Sequence, residues 1–599
     1  MFAPAVTFIR GTLNPTGTDL VPPVTSRAMD GSRDPRDLVE VRELRILDGP
    51  NVYFPRPAVK LTLEIHGWLR ATGVRLERLA TDLGMPESTR AGDPGTDHRQ
   101  RFTARAGAHV TRAIAGATGT RLAVRGRPGE PGQIIVAFPW RRRGTAESLA
   151  REVALVMAEL LSTRRQAGRL IADAAERVAR ADPGSPPSVP DPSIPVIAVT
   201  GTNGKTTTVR LLAHLLRTAG LSVAFSSTDG VYRDDELIEP GDYSGYAGAG
   251  MALSQPSVDA VVLETARGGI LLRGIGTAHN DVAVVTNISS DHLGLHGVHT
   301  LDQLAEVKAS ITRITRPEGW AVLNADDPRV LAMRRGATGR PFVHSLDPHH
   351  PVIREVLADD GRAATVLDGT LVVLGPGSRV ERLLPLEDVP VTLAGIATPY
   401  VRNAMAATGA ALGIGVPSDA VVSGLRSFVQ TSDSNPGRAN VYTVSDRIVV
   451  VDYAHNEEGM IGLTEILRGL RRRDAEIWLA FCAAGDRQDD VLHALGYRAA
   501  RGADHVVVAE LPHYLRGRDP DDLVARLRAG AMDGGAVDVA VVPDEVHALN
   551  LMLERSTAHD VIGLTALGQR PEIFARLDAL GAARADPGTV AALVRRAKR

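Results

Sequence analysis

Gly201-Thr202-Asn203-Gly204-Lys205-Thr206-Thr207 combines two glycines, a lysine and a run of hydroxyls within a single turn of chain. The segment follows the β-branched run Val196–Thr200 and opens a helical pattern, so a strand, a tight loop and a helix N-terminus are predicted in succession. Glycine lets successive backbone N–H groups turn inward around phosphate oxygens, and the helix terminus adds free donors and a favourable dipole. There Lys205 would reach β- and γ-phosphates and Thr206 would ligate Mg²⁺. The loop is shorter between its glycines than GxxxxGK[ST] when Gly201 is counted first. An ordinary glycine turn is the alternative, and the conjunction of strand, loop, Gly-Lys-Thr and helix argues against it. Further along, Glu264 closes another β-branched run, at a strand end of the kind beyond which doubly wound sheets bind ligands. On residue type alone it could equally be a solvated or helix-capping glutamate. His292, His296 and His299 have zinc-like spacings of four and three. Gly294 and Gly297 interrupt them, which disfavours a shared helical face, and His296 and His299 read as loop residues.

Rigid elements must hold these groups. Short apolar runs at Val196–Thr200, Ser222–Thr228, Asp259–Thr265 and Val282–Ile288, several separated by helical stretches, predict a mostly parallel sheet covered by helices. Another strand is expected at Trp320–Ala325, and a second α/β series starts near Ser445. Upstream, Pro183–Pro195 (PGSPPSVPDPSIP) is dense enough in proline to form a stiff spacer. Before it, strands are predicted at Val59–Ile65 and Gln133–Trp140, and a long helix from about Glu147 to Ala181. The fold class is therefore α/β and multidomain. It comprises an N-terminal α+β module (1–182), the linker (183–195), a central parallel-sheet domain carrying the phosphate loop (196–435) and a C-terminal Rossmann-like domain (436–599).

At 599 residues, 44% of them hydrophobic, the chain can bury several cores, which excludes a disulfide miniprotein or a disordered acidic chain. Lys and Arg (68) nearly balance Asp and Glu (70), which argues against nucleic acid or an anionic membrane as partner of the whole protein. A lone cysteine, Cys482, excludes an internal disulfide framework and fits a reducing compartment. No apolar run approaches 18 residues, and MFAPAVTFIRGTLNP lacks the apolar region of a signal peptide. A cytoplasmic location is expected, and a homo-oligomer stays open.

Taken in order, TGTNGKTT, VVLETARGGIL (Val261–Leu271), VVTNISSDHLG (Val284–Gly294), WAVLNADDP (Trp320–Pro328), NPGR (Asn435–Arg438), VDYAHN (Val451–Asn456) and GDRQDD (Gly485–Asp490) resemble the Mur ligase family, which includes the folylpolyglutamate synthases. TDGVYRDDELIEPGD (Thr228–Asp242), ETARGGIL and LRGR (Leu515–Arg518) are most similar to the ligase half of the cyanophycin synthetases. GPNVYFPRP (Gly49–Pro57) looks like the opening module of that family. There an ATP-grasp domain normally sits where this chain has its proline linker, so one of the two bond-forming activities should be missing. Between Gly241 and Asp259 the chain has Tyr246, Gly248 and Gly250 where those relatives typically have a proline, a serine and an arginine. Glu457-Glu458 follows Asn456 where proline is common. The added carboxylates could favour a cationic amine or simply open a helix.

The resemblance implies ATP and two Mg²⁺ ions, with Thr206, Glu264 and His292 as metal ligands and Asp291 orienting His292. It makes Lys308 a candidate for carbamylation, which would turn a cation into a metal-binding group; an ordinary helix-surface lysine is the alternative. Asn403 would contact adenine, or cap a helix. Arg438 would clamp phosphate, Asp452 would bind the ribose hydroxyls, and His455 and Asn456 would lie at an interdomain cleft. The implied reaction moves the γ-phosphoryl of ATP to a carboxylate, and an amine then displaces phosphate from the acyl phosphate. That amine must be uncharged, and His455 is the candidate base. Substrates would be a small-molecule acid and amine, or a peptide or polymer acceptor. A polymer synthetase joining aspartyl-arginine units and a P-loop ATPase without ligation are the competing readings.

Overall fold

A computed structural model describes residues 38–86, 90–163, 165–291, 293–377 and 379–598. The chain divides into two compact units, one of residues up to Leu47 with Pro57–Ser188, the other of Asp48–Arg56 with Val189–Arg599.

The first unit is an antiparallel sheet in the order Glu40–Leu47, Ala58–Glu64, Gln133–Pro139, Arg125–Pro128, packed by helices Asp97–Ala117, Arg143–Ser162 and Ala167–Arg180. Leu61, Leu63, Ile134 and Val136 interlock there with Phe102, Val153 and Met157 in one buried core. The single helix expected over 147–181 is two helices. Ser162 and Thr163 turn their hydroxyls back onto the carbonyls of Ala158 and Glu159, and the Thr163 backbone is extended (φ −113°, ψ 166°). Such back-bonding competes with helix continuation. The second helix then returns along the first, where Arg177 forks onto the carboxylate of Glu152 through two bonds of 2.9 and 2.7 Å.

The second unit contains two α/β sheets. The larger runs Arg379–Pro385, Thr370–Gly375, Arg362–Leu367, Arg340–His344, Thr315–Asn324, Asn280–Val285, Val196–Thr200, Ala260–Glu264, Val223–Ser227, Gly230–Arg233, Glu236–Pro240. Its interior strands, from Arg362–Leu367 to Val223–Ser227, pair in parallel, and antiparallel strands close both edges. The strand Val196–Thr200 is fully buried between Asn280–Val285 and Ala260–Glu264. The chain order reverses direction at this point, so the crevice beyond its carboxyl end is where a doubly wound sheet receives ligand. The smaller sheet runs Val539–Val542, His505–Ala509, Ile477–Phe481, Val561–Thr565, Arg447–Asp452, Asn440–Val444, Ala583–Arg584, parallel over the first five. Among the described residues no helix is long and apolar enough to cross a membrane.

Asp48–Arg56 folds into this second unit. Gly49 N–H donates to Arg273 O, Ile275 N–H to Pro50 O (2.6 Å), and Asp48 pairs with Arg273 at 2.7 Å. Asn51 ties the turn internally: its amide donates to Gly49 O and Arg56 O and accepts from the N–H groups of Tyr53 and Phe54. Gly49 admits no side chain, because a Cβ would stand 1.8 Å from Ile275 O.

His344 ends a central strand at 1% exposure, and neither ring nitrogen has a partner. Burial, opposed by the charge of Asp326, pushes its pKa down to about 4. The unfolded chain binds that proton near pH 6.5. The contribution of His344 to stability is therefore intact above pH 6.5 and is lost as pH falls toward 4, by about 2 kcal/mol at pH 5. Urea midpoints at pH 7.5 and pH 5 should fall further for the parent than for His344→Leu; parallel falls would mean that His344 does not titrate this way.

Candidate active site

The loop predicted to cradle phosphate leaves the buried strand at Thr200 and enters the helix Lys205–Thr218 at Gly204. Two glycines are structurally required. Gly201 (φ +152°) passes so close to Thr286 that a Cβ would lie 1.8 Å from its hydroxyl, and Gly204 (φ +86°) so close to Asn403 that a Cβ would lie 2.3 Å from its amide oxygen. The loop is braced from the neighbouring strand end: Thr202 N–H donates to Asn287 O and Asn203 N–H to Asn287 Oδ1, both at 2.9 Å. Thr286 donates its hydroxyl to Asn203 O at 2.6 Å. Lys205 folds over the loop, its ammonium donating to Thr202 O at 2.9 Å.

Thr206 and Glu264 meet at the base of this loop. Thr206 Oγ1 donates to Glu264 Oε2 at 3.0 Å, and Thr228 donates its N–H to Oε2 and its hydroxyl to Oε1. Glu264 is 2% exposed. A hydroxyl and a carboxylate side by side are hard oxygen donors, the chemistry Mg²⁺ takes alongside phosphate oxygens, so the residues present fit that ion. His292 lies outside the described residues. Among those described, no cluster of three or more His, Cys, Asp or Glu residues could hold a metal.

Lys308 is a correction to its helix-surface alternative. It is 4% exposed, and its amine donates to Gly201 O at 2.6 Å, directly beneath the loop. Burial, reinforced by the charge of Lys205, holds its pKa well below the ordinary ammonium value, against the opposing charge of Asp291.

The two sheets face each other across this loop. Asn203 and Asn456 exchange amide bonds of 3.1 and 2.9 Å, joining the loop to the cap of helix Glu457–Leu470. Asp291 pairs with Arg487 at 2.5 Å, and His455 Nε2 lies 3.7 Å from its other oxygen. Asp291 thus bonds across the cleft to the C-terminal half. The Nδ1 of His455 faces Tyr453 O at 2.9 Å. Asn403, 6% exposed, lies inside helix Thr398–Gly413 against Gly204, away from either helix end, so it is not a cap. Asp452 accepts from Tyr400 OH and Ala439 N–H, both at 2.8 Å. Burial raises its pKa in spite of those donors. Arg438 stacks on the Tyr453 ring, its guanidinium carbon 4.4 Å from the centroid, with Arg570 over the same ring at 5.4 Å. Of the added carboxylates, Glu457 opens the helix and pairs with Arg498.

Several groups that build this cleft were not singled out from sequence. Arg487 sits inside the block GDRQDD and Asp229 inside TDGVYR, where each was an available signal. Arg570, in LGQRPEI, carried none.

Comparison with known proteins agrees with this geometry. Residues 199–411 match the Mur ligase middle domain and residues 437–568 the Mur ligase glutamate ligase domain, together more than half of the chain. The chain is 37% identical over 371 residues to a cyanophycin synthetase of Crocosphaera subtropica, covering 62% of this chain and 42% of that protein. It is 39% identical over 336 residues to the cyanophycin synthetase of Geminocystis herdmanii, covering 56% and 38% respectively. A UDP-N-acetylmuramyl-tripeptide synthetase of Deinococcus radiodurans is 29% identical over 396 residues, 63% of this chain and 74% of that one. The chain therefore spans about two fifths of the length of the cyanophycin synthetases it matches.

Proposed function

The chain belongs to the Mur ligase family through its middle and C-terminal domains, and from that footing we propose that it is an ATP-dependent ligase joining a carboxylate to an amine through an acyl phosphate. The observation that carries this reading is the glycine loop with Lys205 above it, the Thr206–Glu264 oxygen pair at its base, and a second α/β sheet bonded across it through Asn456 and Arg487.

Carboxylates are poor electrophiles, and phosphorylation supplies a leaving group. The protein's task is positioning and charge neutralisation. N–H groups at the start of helix Lys205–Thr218 and the Lys205 ammonium would grip the β- and γ-phosphates, and Arg438, over Tyr453, would meet the terminal phosphate. Thr206 and Glu264 would hold Mg²⁺, with His292 a ligand to a second ion. Bound there, Mg²⁺ offsets charge on the transferring phosphoryl group. Asn403 and Asp452 are assigned to adenine and ribose, and His455 to relieving the attacking amine of its proton. We propose that Lys308 is carbamylated: its amine is buried, and burial favours the uncharged form, the form that adds carbon dioxide. A carbamate resonance in ¹³C spectra after equilibration with ¹³C-bicarbonate, absent in Lys308→Arg, is the expected result. Identical spectra would leave Lys308 unmodified.

The substrates are read as an amino-acid-like acid and amine, or a peptide acceptor. The cyanophycin synthetase relatives favour a second reading, elongation of a polymer. Phosphate release by purified protein over a panel of carboxylate and amine pairs, followed by product mass, separates them. A single condensed product supports the first, a ladder of masses the second, and release independent of any amine would establish an ATPase instead.

A further inference from the structure

The chain crosses from the larger sheet to the smaller one once, between helix Ser418–Ser427 and strand Asn440–Val444. The crossing segment is pinned from both sides by arginines that belong to different halves. Arg210, on the helix that follows the phosphate loop, donates Nη1 to Ser434 O at 2.9 Å. Arg570, at the start of helix Arg570–Ala579, donates Nη1 to Pro436 O at 3.2 Å. The other arm of each guanidinium goes to the same carboxylate: Arg210 Nη2 to Asp229 Oδ2 at 3.3 Å, Arg570 Nη2 to Asp229 Oδ1 at 2.9 Å. Side-chain exposure is 8% for Asp229 and 6% for Arg210. Gly437 (φ +67°) lets Arg570 lie flat on the segment, where a Cβ would meet its Cδ at 2.8 Å. Asn435 adds a bond to Thr207 on the loop helix, and Asn440 accepts from Gly437 N–H.

From this geometry we infer that Asp229 is a positioning residue, the shared counter-ion that clasps the two halves and fixes the crossing segment beside the phosphate loop. Arg210, Arg438 and Arg570 crowd the carboxylate, and Arg438 and Arg570 both stack on the Tyr453 ring. Burial alone would raise the Asp229 pKa, yet these three cations hold it below its usual value. Neutralising the carboxylate leaves the nearly buried Arg210 guanidinium facing the Arg570 guanidinium, whose side chain is 25% exposed, without their shared counter-ion, and removing one partner of a buried pair is costly. The clasp also reaches the chemistry: the preceding residue, Thr228, donates twice to Glu264.

Amide hydrogen exchange on the nucleotide-free full chain tests this directly, and its outcome does not depend on ligase activity. Asp229→Asn should speed exchange over Ser434–Ala439 about tenfold, a loss of one decade in closing equilibrium. Exchange in strand Val223–Ser227 should hold, and Asp229→Glu should restore part of the protection. Arg570→Gln cuts the same clasp from the other half and should give the same local rise, with the double variant no worse than either single one. If ligation is then measured, Asp229→Asn should raise the KM for ATP with a smaller change in kcat. Unchanged exchange over the segment in both single variants, additive effects in the double variant, or a loss spread equally into the sheet would overturn the assignment. Absence of ligation with any substrate pair would count against the ligase reading and leave the clasp result standing.

Discussion

Lys205→Ala should lower ATP-dependent product formation by roughly 10³-fold while the protein unfolds at the same temperature as its parent. The ammonium makes one bond, to the Thr202 carbonyl. Its removal therefore costs the fold little, since a single exposed-edge hydrogen bond contributes about 1 kcal/mol. The cost to the reaction is of another order. With the triphosphate bound, the Lys205 ammonium would lie at the rim of the loop against the phosphates, whereas the Lys308 amine sits buried beneath it. A positioned cation that stabilises charge only as the phosphoryl group transfers is worth several kcal/mol in kcat. Phosphate release and product mass, measured beside a melting curve, give both halves of the comparison. Retained ligation would remove Lys205 from the chemistry and the nucleotide assignment of the loop with it.

Glu264→Gln should reduce kcat by about 10²-fold and shift the Mg²⁺ requirement upward. The carboxylate receives three donors, the Thr206 and Thr228 hydroxyls and the Thr228 N–H, and offers none in return. Glutamine keeps the shape but places an NH₂ where one of those donors points. One hydroxyl can rotate to accept, so the stability loss should stay near 1 kcal/mol. What is lost is the negative charge on which the proposed divalent-ion site depends. A Mg²⁺ titration of phosphate release separates the two effects: a parent-like curve would show that Glu264 only braces the loop.

The strand that feeds the loop was legible to the residue, since five buried β-branched and small residues bounded by proline and glycine admit little else. Val196–Thr200 ends where the run ends. The neighbouring runs were trimmed by a residue at each end, Ser222–Thr228 to Val223–Ser227 and Asp259–Thr265 to Ala260–Glu264. Polar groups at their margins bond locally: Asp259 accepts from Ser222 N–H, and Thr228 turns to Glu264. Helical periodicity concealed the break at Thr163, because both helices present apolar residues to the same core and the pattern continues through the turn. The cleft was half visible. Glycine, lysine and threonine signal a phosphate loop by local spacing, whereas the bond between Asn203 and Asn456, 253 positions apart, leaves no local trace even though each residue was placed in its own motif. Arg570 has ordinary neighbours and becomes informative only beside Asp229, 341 positions away. Pairing across such separations is set by topology, and a single sequence carries no local trace of it.

The turn Asp48–Arg56 makes the polypeptide indivisible by one cut. A cloning strategy that starts the chain after the proline stretch would yield a fragment without Pro50, Tyr53 and Phe54, with the backbone edge at Arg273–Ile275 left bare. Shortened versions beginning at Val189 should be sticky and poorly behaved, and supplying the missing turn as a synthetic nonapeptide is the route by which they would be mended.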